Sequence, residues 1–377
     1  MWTDRFLDYD FGPDHPFTQR SRRLAVRLLQ AVLAEEKATQ VEFCDEVPVA
    51  PWAYLQTFHE PEYLEQVSRA SNSEHPGFLD QGDTPGFPGC FEASARIAAG
   101  AAWAVETALR TNRPTFHPAG GLHHAHPGRA SGFCILNDLA LAIVEVAGEG
   151  RKVAYIDLDA HHGDGVMYGL YDSGAVLDID FHQDGRTLFP GTGFPEETGR
   201  GDGAGLKVNI PLPPGAGDEM LAPLFRRLVP PLLRSFRPEL IIVQHGADGH
   251  AGDPLTQLQY TSRSYDEIDA LVLDLGRELC HSRVVVAGGG GYRPESVARV
   301  LARAGIAALG LEMPASAEPL PAGWRQEFEV EWGRPAPQTW LDPPVRGRRP
   351  SPADAGEAVV RALERVLGRS FPVVGEG

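Results

Sequence analysis

Residues Asp157-Leu158-Asp159-Ala160-His161-His162-Gly163-Asp164 follow directly on the apolar run Val153 to Ile156. Three carboxylates and two imidazoles at the end of a buried strand are not a packing solution. Burying such groups is costly unless a partner compensates them. A divalent cation does so, because imidazole nitrogen with carboxylate oxygen is a donor set that suits Zn, Fe and Mn. Asp157, Asp159 and His161 also share parity, so an extended segment would present all three on one side. The stretch therefore reads as a metal site, and it demands a fold with an interior sheet.

The rest of the chain supplies one. Strand patterns at Thr115 to His117, Lys152 to Asp159, Ala175 to Phe181, Leu206 to Ile210, Leu240 to His245 and Val284 to Ala287 alternate with helical ones. The helical patterns are Pro16 to Ala34, Phe91 to Arg110, Leu136 to Val146, Met220 to Phe236, Tyr265 to Leu279 and Pro294 to Leu309. Such alternation predicts parallel βαβ units, an α/β fold with its sheet buried between helix layers. Met313 to Pro352 is dense in proline and without period, so it reads as a surface excursion, with Ala353 to Leu367 as a closing helix. No internal repeat interrupts the pattern, and one domain is expected.

Composition narrows the setting. Cys44, Cys90, Cys134 and Cys280 lie far apart with no CxxC pair, which argues against a disulfide framework and a thiolate zinc site. The start lacks a basic region leading into an apolar core, and no run approaches the roughly 18 apolar residues of a membrane span. A cytoplasmic protein with no membrane partner is expected. The net charge of −17, from 34 Lys+Arg against 51 Asp+Glu, repels phosphate backbones and argues against nucleic acid. It tolerates a cationic partner such as a lysine-rich segment or a polyamine.

Four strand patterns run into polar clusters. The first leads to Gly120-Gly121-Leu122-His123-His124, the second to Asp157–Asp164, the fifth to Gln244-His245-Gly246-Ala247-Asp248, the last to Gly288-Gly289-Gly290-Gly291-Tyr292. Ligands bind outside the carboxyl ends of parallel strands, so the four predict one pocket. Asp159, His161 and Asp248 make a three-ligand set that leaves a position open for water or substrate. His123 and His124 suit acid–base work beside it, with Asp157 and Asp164 as carboxylates orienting the rings. The glycine run lets backbone approach closely, and Tyr292 can donate to a developing oxyanion.

Gly120-Gly-Leu-His-His-Ala, Ala130-Ser-Gly-Phe-Cys-Ile-Leu-Asn-Asp138, Tyr155-Ile-Asp-Leu-Asp-Ala-His-His-Gly-Asp-Gly165, Leu188-Phe-Pro-Gly-Thr-Gly193 and Gly288-Gly-Gly-Gly-Tyr292 together resemble the histone deacetylase family. They stand in that family's order, and Gln244-His-Gly-Ala-Asp-Gly-His with Asp253-Pro-Leu-Thr256 is similar to its bacterial acetoin-utilisation branch. The resemblance implies the arginase/deacetylase α/β fold and hydrolysis of an N-acetyl amide, foremost on lysine side chains of proteins. Asp159, His161 and Asp248 would hold Zn²⁺ or Fe²⁺, between which ligand type does not choose. His123 and His124 would be the catalytic pair, oriented by Asp157 and Asp164, and Tyr292 would polarise the acetyl carbonyl. His124, or the pair together, would take the proton of the attacking water. Phe133 and Phe189 would wall the substrate channel, with Gly132 and Gly290 lining it and Asp83 at its rim. A monovalent cation such as K⁺ near Asp157, Asp159 and His161, with Asp180 and His182 beyond, is a further family feature. His126 and Asp180 depart from the pattern, since lysine and serine are frequent there.

Three alternatives stand beside protein deacetylation. An acetylpolyamine amidohydrolase would use the same site on a small acetylated amine. An arginase-like two-manganese enzyme needs a second carboxylate near Asp248, where Gly246 and His250 stand instead. A non-catalytic acetyl-lysine-binding scaffold would not require Tyr292. Oligomeric state is not legible in the sequence.

Overall fold

The computed structural model of the chain describes residues 1–36, 46–80, 82–315, 317–341 and 354–371; Cys44 lies outside them. Its six strands are β1 (Thr115–His117), β2 (Val153–Asp157), β3 (Val176–Gln183), β4 (Lys207–Leu212), β5 (Leu240–Gln244) and β6 (Val284–Ala287). All pair in parallel, in the order β1-β6-β5-β2-β3-β4. The helices are α1 (Arg20–Glu36), α2 (Trp52–Leu55), α3 (Pro61–Ser71), α4 (Cys90–Thr111), α5 (Asp138–Gly148), α6 (Asp164–Gly169), α7 (Asp218–Phe236), α8 (Ser262–Leu279), α9 (Pro294–Ala308), α10 (Ala322–Trp332) and α11 (Ala355–Leu367).

The central strands β2, β5 and β6 are apolar up to their carboxyl ends because both faces are covered. Ala154 and Ile156 of β2, Ile241 and Val243 of β5, and Val284 and Val286 of β6 pack against α1, α7, α8 and α9. Val153 and Tyr155, Leu240 and Ile242, and Val285 and Ala287 face the opposite core, built on α3, α4 and α5. Full burial of one such aliphatic side chain stabilises by about 1.5–3 kcal/mol, so two-sided burial explains why these strands read as continuous rather than alternating runs.

This topology locates the site. From β2 the chain steps outward through β3 to β4, then returns to the other side of β2 as β5 and continues to β6. The order reverses between β2 and β5, and the crevice outside their carboxyl ends is the natural binding position of an open parallel sheet. The four strands that carry polar clusters, β1, β6, β5 and β2, are contiguous.

Two expectations need correction. The strand expected over Lys152 to Asp159 ends at Asp157, so Asp159 and His161 stand in the loop beyond it. The described part of the proline-rich stretch is not a mere surface excursion. Trp324, Phe328 and Trp340 are buried, and the Trp324 indole donates to the Leu24 carbonyl at 2.9 Å. The stretch lacks overall period because α10 contributes only isolated aromatic anchors, which cover the outer face of α1.

Candidate active site

Because β2 stops at Asp157, strand alternation does not align the acidic residues; short side-chain-to-backbone turns do. The Asp159 N–H donates to Asp157 Oδ1 (3.0 Å), the His161 N–H to Asp159 Oδ1 (3.0 Å), and the Ala160 N–H to Asp248 Oδ1 (2.7 Å). Asp157 is thereby drawn away, while His161 Nδ1 lies 3.1 Å from Asp159 Oδ1 and 2.9 Å from Asp248 Oδ2. Ligand atoms of Asp159, His161 and Asp248 all fall within 4.8 Å of one another, and all three residues are buried. It is the one such cluster among the described residues.

The cluster fits a divalent cation. Burial and the Asp159 charge push the Asp248 carboxyl up to about 7, a sign of uncompensated negative charge. Burial opposes charging of His161, yet Asp159 and Asp248 raise it to about 10, so the local potential favours a cation where its Nδ1 points. The backbone closes in to match. A Cβ on Gly290 would sit 2.2 Å from Asp248 Oδ2, and the Gly290 N–H donates to Asp159 Oδ2 at 2.7 Å. Any side chain at 290 would displace the Asp248 carboxylate, which gives the glycine run its physical reason.

The histidine pair stands beside this cluster with ring centroids 4.0 Å apart. Nδ1 of His123 is 2.8 Å from Asp157 Oδ2, and Nδ1 of His124 is 2.6 Å from Asp164 Oδ1. Asp157 also accepts from the Tyr155 hydroxyl at 2.5 Å. The two rings are driven apart electrostatically. Burial disfavours charge on His123, but Asp157 and Asp159 outweigh it and raise the ring to about 10. Burial and the neighbouring His123 charge lower His124 to about 4, against the pull of Asp164. A pair split in this way can hold one proton and accept another.

Aromatic side chains pack beside the histidine pair and Tyr292. Phe133 packs edge-on against Tyr292 (5.9 Å), and Phe189, 42% exposed, packs edge-on against His124 (5.1 Å). Phe133 holds a left-handed φ of 67°, unusual for a bulky residue. It is clamped there: its N–H donates to Thr84 Oγ1 (3.0 Å) and its carbonyl accepts the Tyr9 hydroxyl (2.7 Å). The neighbour of Thr84, half-buried Asp83, thus lies near the Phe133 segment, and burial and nearby Asp80 raise its carboxyl to about 6. The Tyr292 hydroxyl, raised well above 10 by burial and by Asp248 and Asp159, stays protonated and able to donate.

Gly132 offers a sharp test of this packing. Its φ is 52°, and a Cβ there would lie 2.4 Å from His124 Cδ2 and 3.0 Å from Phe189 Cε1. Gly132→Ala is expected to lower kcat by about 10²-fold by moving His124, since displacements near 1 Å cost that much. Steady-state kinetics beside a melting curve check it, because the left-handed backbone adds a stability loss of only about 1–2 kcal/mol.

Several supporting residues do work that the sequence does not announce. Buried Arg22 in α1 donates to the carbonyls of Gly289 and Gly291 and so holds the glycine run. Asp138 accepts from the Gly121 and Leu122 N–H groups (3.0 and 2.8 Å), and Asn137 Nδ2 donates to the His123 and Ala125 carbonyls (3.1 and 2.9 Å). Gln244 Nε2 donates to Asp159 Oδ2 (2.8 Å), and Asp253 Oδ2 accepts the Tyr292 N–H (2.9 Å). Asn137 and Asp138 belong to a recognised motif, but their work spans a loop that only the fold brings back. Arg22 looks like any other arginine of a basic helix. Further from the pair, Asp180 accepts from the Gly163 N–H (2.7 Å) and lies 2.6 Å from His182 Nδ1.

The parallel sheet is that of the arginase/deacetylase fold, and residues 15–307 match the histone deacetylase domain, which makes the chain a deacetylase-type hydrolase. The chain belongs to the histone deacetylase family. It is 35% identical over 355 residues to the acetoin utilization protein AcuC of Bacillus subtilis strain 168, covering 91% of this chain and 89% of that one. The AcuC proteins of Staphylococcus aureus strain Mu50 and Staphylococcus xylosus are each 33% identical, over 91% of this chain and 89% and 90% of theirs. No helix of the described residues is long and apolar enough to cross a membrane.

Proposed function

We propose that this chain is a metal-dependent lysine deacetylase that hydrolyses the acetyl amide of acetyl-lysine side chains in proteins. The observation that carries the reading is the meeting of Asp159, His161 and Asp248 with the histidine pair and Tyr292, beside which Phe133 and Phe189 pack. Asp159, His161 and Asp248 would hold Zn²⁺, with Fe²⁺ meeting the same donor set. When bound, the ion supplies Lewis acidity toward the acetyl oxygen and lowers the pKa of water. The residues do the rest. Phe133 and Phe189 exclude water from the acyl chain, with Gly132 and Gly290 lining the channel and Asp83 binding substrate backbone at its rim. Neutral His124 takes the proton of the attacking water at Nε2, its Nδ1 being committed to Asp164. His123, held charged by Asp157, delivers a proton to the departing amine. The Tyr292 hydroxyl donates to the oxygen that gains charge. A monovalent cation such as K⁺ would sit near Asp157, Asp159 and His161, with Asp180 and His182 beyond. The chain acts as one deacetylase domain, because both cores close on a single sheet.

The test is turnover of a fluorogenic acetyl-lysine peptide by protein reconstituted with Zn²⁺ or Fe²⁺, beside N-acetylputrescine and arginine. Release of acetate from the peptide, absent in Asp248→Asn, is the expected result. Turnover of acetylputrescine alone would move the assignment to a polyamine amidohydrolase, and arginine hydrolysis to the two-metal class. Silence on all three at full metal occupancy would leave an acetyl-lysine-binding scaffold.

A further inference from the structure

We infer that His126 is a positioning residue for His124, acting through the second oxygen of Asp164; the inference rests on the deacetylase reading for its kinetic arm alone. Asp164 opens α6 and is buried. Its Oδ1 faces His124 Nδ1 at 2.6 Å, and its Oδ2 faces His126 Nε2 at 3.0 Å. One carboxylate thus bridges two imidazoles, one buried at the reaction centre and one with a side chain 13% exposed. A carboxylate held at one oxygen can swing about its Cβ–Cγ bond. Held at both, it presents Oδ1 in one direction, and the His124 ring follows.

The surroundings of His126 are built for this. Its ring lies parallel to Tyr168 (6.4 Å between centroids, 15° between planes), and the Tyr168 hydroxyl donates to Glu197 Oε1 at 2.9 Å. Its N–H donates to the Arg129 carbonyl (3.0 Å), and His59 Nδ1 meets its carbonyl at 3.1 Å. Arg129 Nη2, from an exposed side chain, lies 2.7 Å from the same Nε2; a guanidinium only donates, so the contact of Nε2 as donor to Asp164 Oδ2 requires that exposed side chain to turn away. The backbone of residue 126 is therefore fixed independently of Asp164, and its ring lies along that of Tyr168. That is what a fixed prop requires. Partners that orient a reacting imidazole are worth about 10–100-fold when removed.

Two substitutions separate the roles. His126→Phe keeps the stack on Tyr168 and removes the donor, whereas His126→Gln places an amide Nε2 within reach of the same oxygen. On acetyl-lysine peptide, His126→Phe is expected to lose about 10–100-fold in kcat with KM within about twofold, and His126→Gln to recover most of it. A readout without turnover is the downfield imidazole proton of the His124–Asp164 hydrogen bond in ¹H NMR, identified by its loss in Asp164→Asn. It should be sharp in the parent and His126→Gln, and broadened or shifted in His126→Phe. If the Phe variant does not fold, His126→Ala takes its place in both arms. Equal kcat and an equal imidazole resonance in all variants overturn the inference, as does a rise in KM at constant kcat. If the parent turns over no acetylated substrate, the deacetylase reading falls, and the NMR arm still decides the role of His126.

Discussion

Asp248→Asn is expected to leave a folded protein that takes up no stoichiometric metal and loses kcat/KM by about 10³-fold or more, the scale of a Lewis acid worth several kcal/mol. Asparagine is the informative replacement. Its carbonyl oxygen can still accept the Ala160 N–H that Asp248 Oδ1 accepts at 2.7 Å, so the loop keeps its turn. Alanine would leave that buried donor unpaired at about 1–3 kcal/mol and confuse folding with binding. The amide also removes a carboxylate whose ionisation burial and the Asp159 charge oppose, while it gives up the attraction between that carboxylate and His161. The parent should gain about 2.7 kcal/mol of stability at a metal concentration 100-fold above Kd, and the variant should gain almost nothing. Metal analysis and paired melting curves with and without Zn²⁺ measure this. Parent-like metal content in Asp248→Asn would remove Asp248 from the ligand set.

Tyr292→Phe is expected to lower kcat by about 10²–10³-fold, roughly 2.7–4 kcal/mol, with metal content and KM close to the parent's. The ring has its own supports: it packs edge-on to Phe133 and His161, and its N–H is tied to Asp253. Deleting the hydroxyl therefore removes a donor and little else. Burial beside Asp159 and Asp248 keeps that hydroxyl protonated through the working pH range, so the loss should be independent of pH from about 6 to 9. A mostly raised KM would indicate a role in binding the ground state. Full activity would show that the oxyanion is stabilised without Tyr292.

Much of this site is local information. The apolar run of β2 announces a strand buried on both faces, and the polar cluster after it announces chemistry at its carboxyl end. The same holds for β5 with Asp248 and β6 with the glycine run. What was misread is equally physical. Parity assigned Asp157, Asp159 and His161 to one side, but β2 ends at Asp157 and turns made by Asp157 and Asp159 send the residues to different partners. The proline-rich stretch hid three buried aromatics, because isolated anchors against a neighbouring helix leave no periodic trace.

The sequence by itself determined the layered α/β fold, the residue types of the metal cluster and the identity of the histidine pair, since each follows from chemistry within a few consecutive residues. Only the tertiary structure decided that β2 and β5 are neighbours at the point where strand order reverses, which brings Asp248 to His161. It alone assigned Arg22 to the glycine carbonyls, Asn137 and Asp138 to the histidine loop, and His126 to the far side of Asp164. Those contacts join residues far apart along the chain. A hydrogen bond of that span costs loop entropy that no local pattern records, and it exists only once the sheet has set both ends in place.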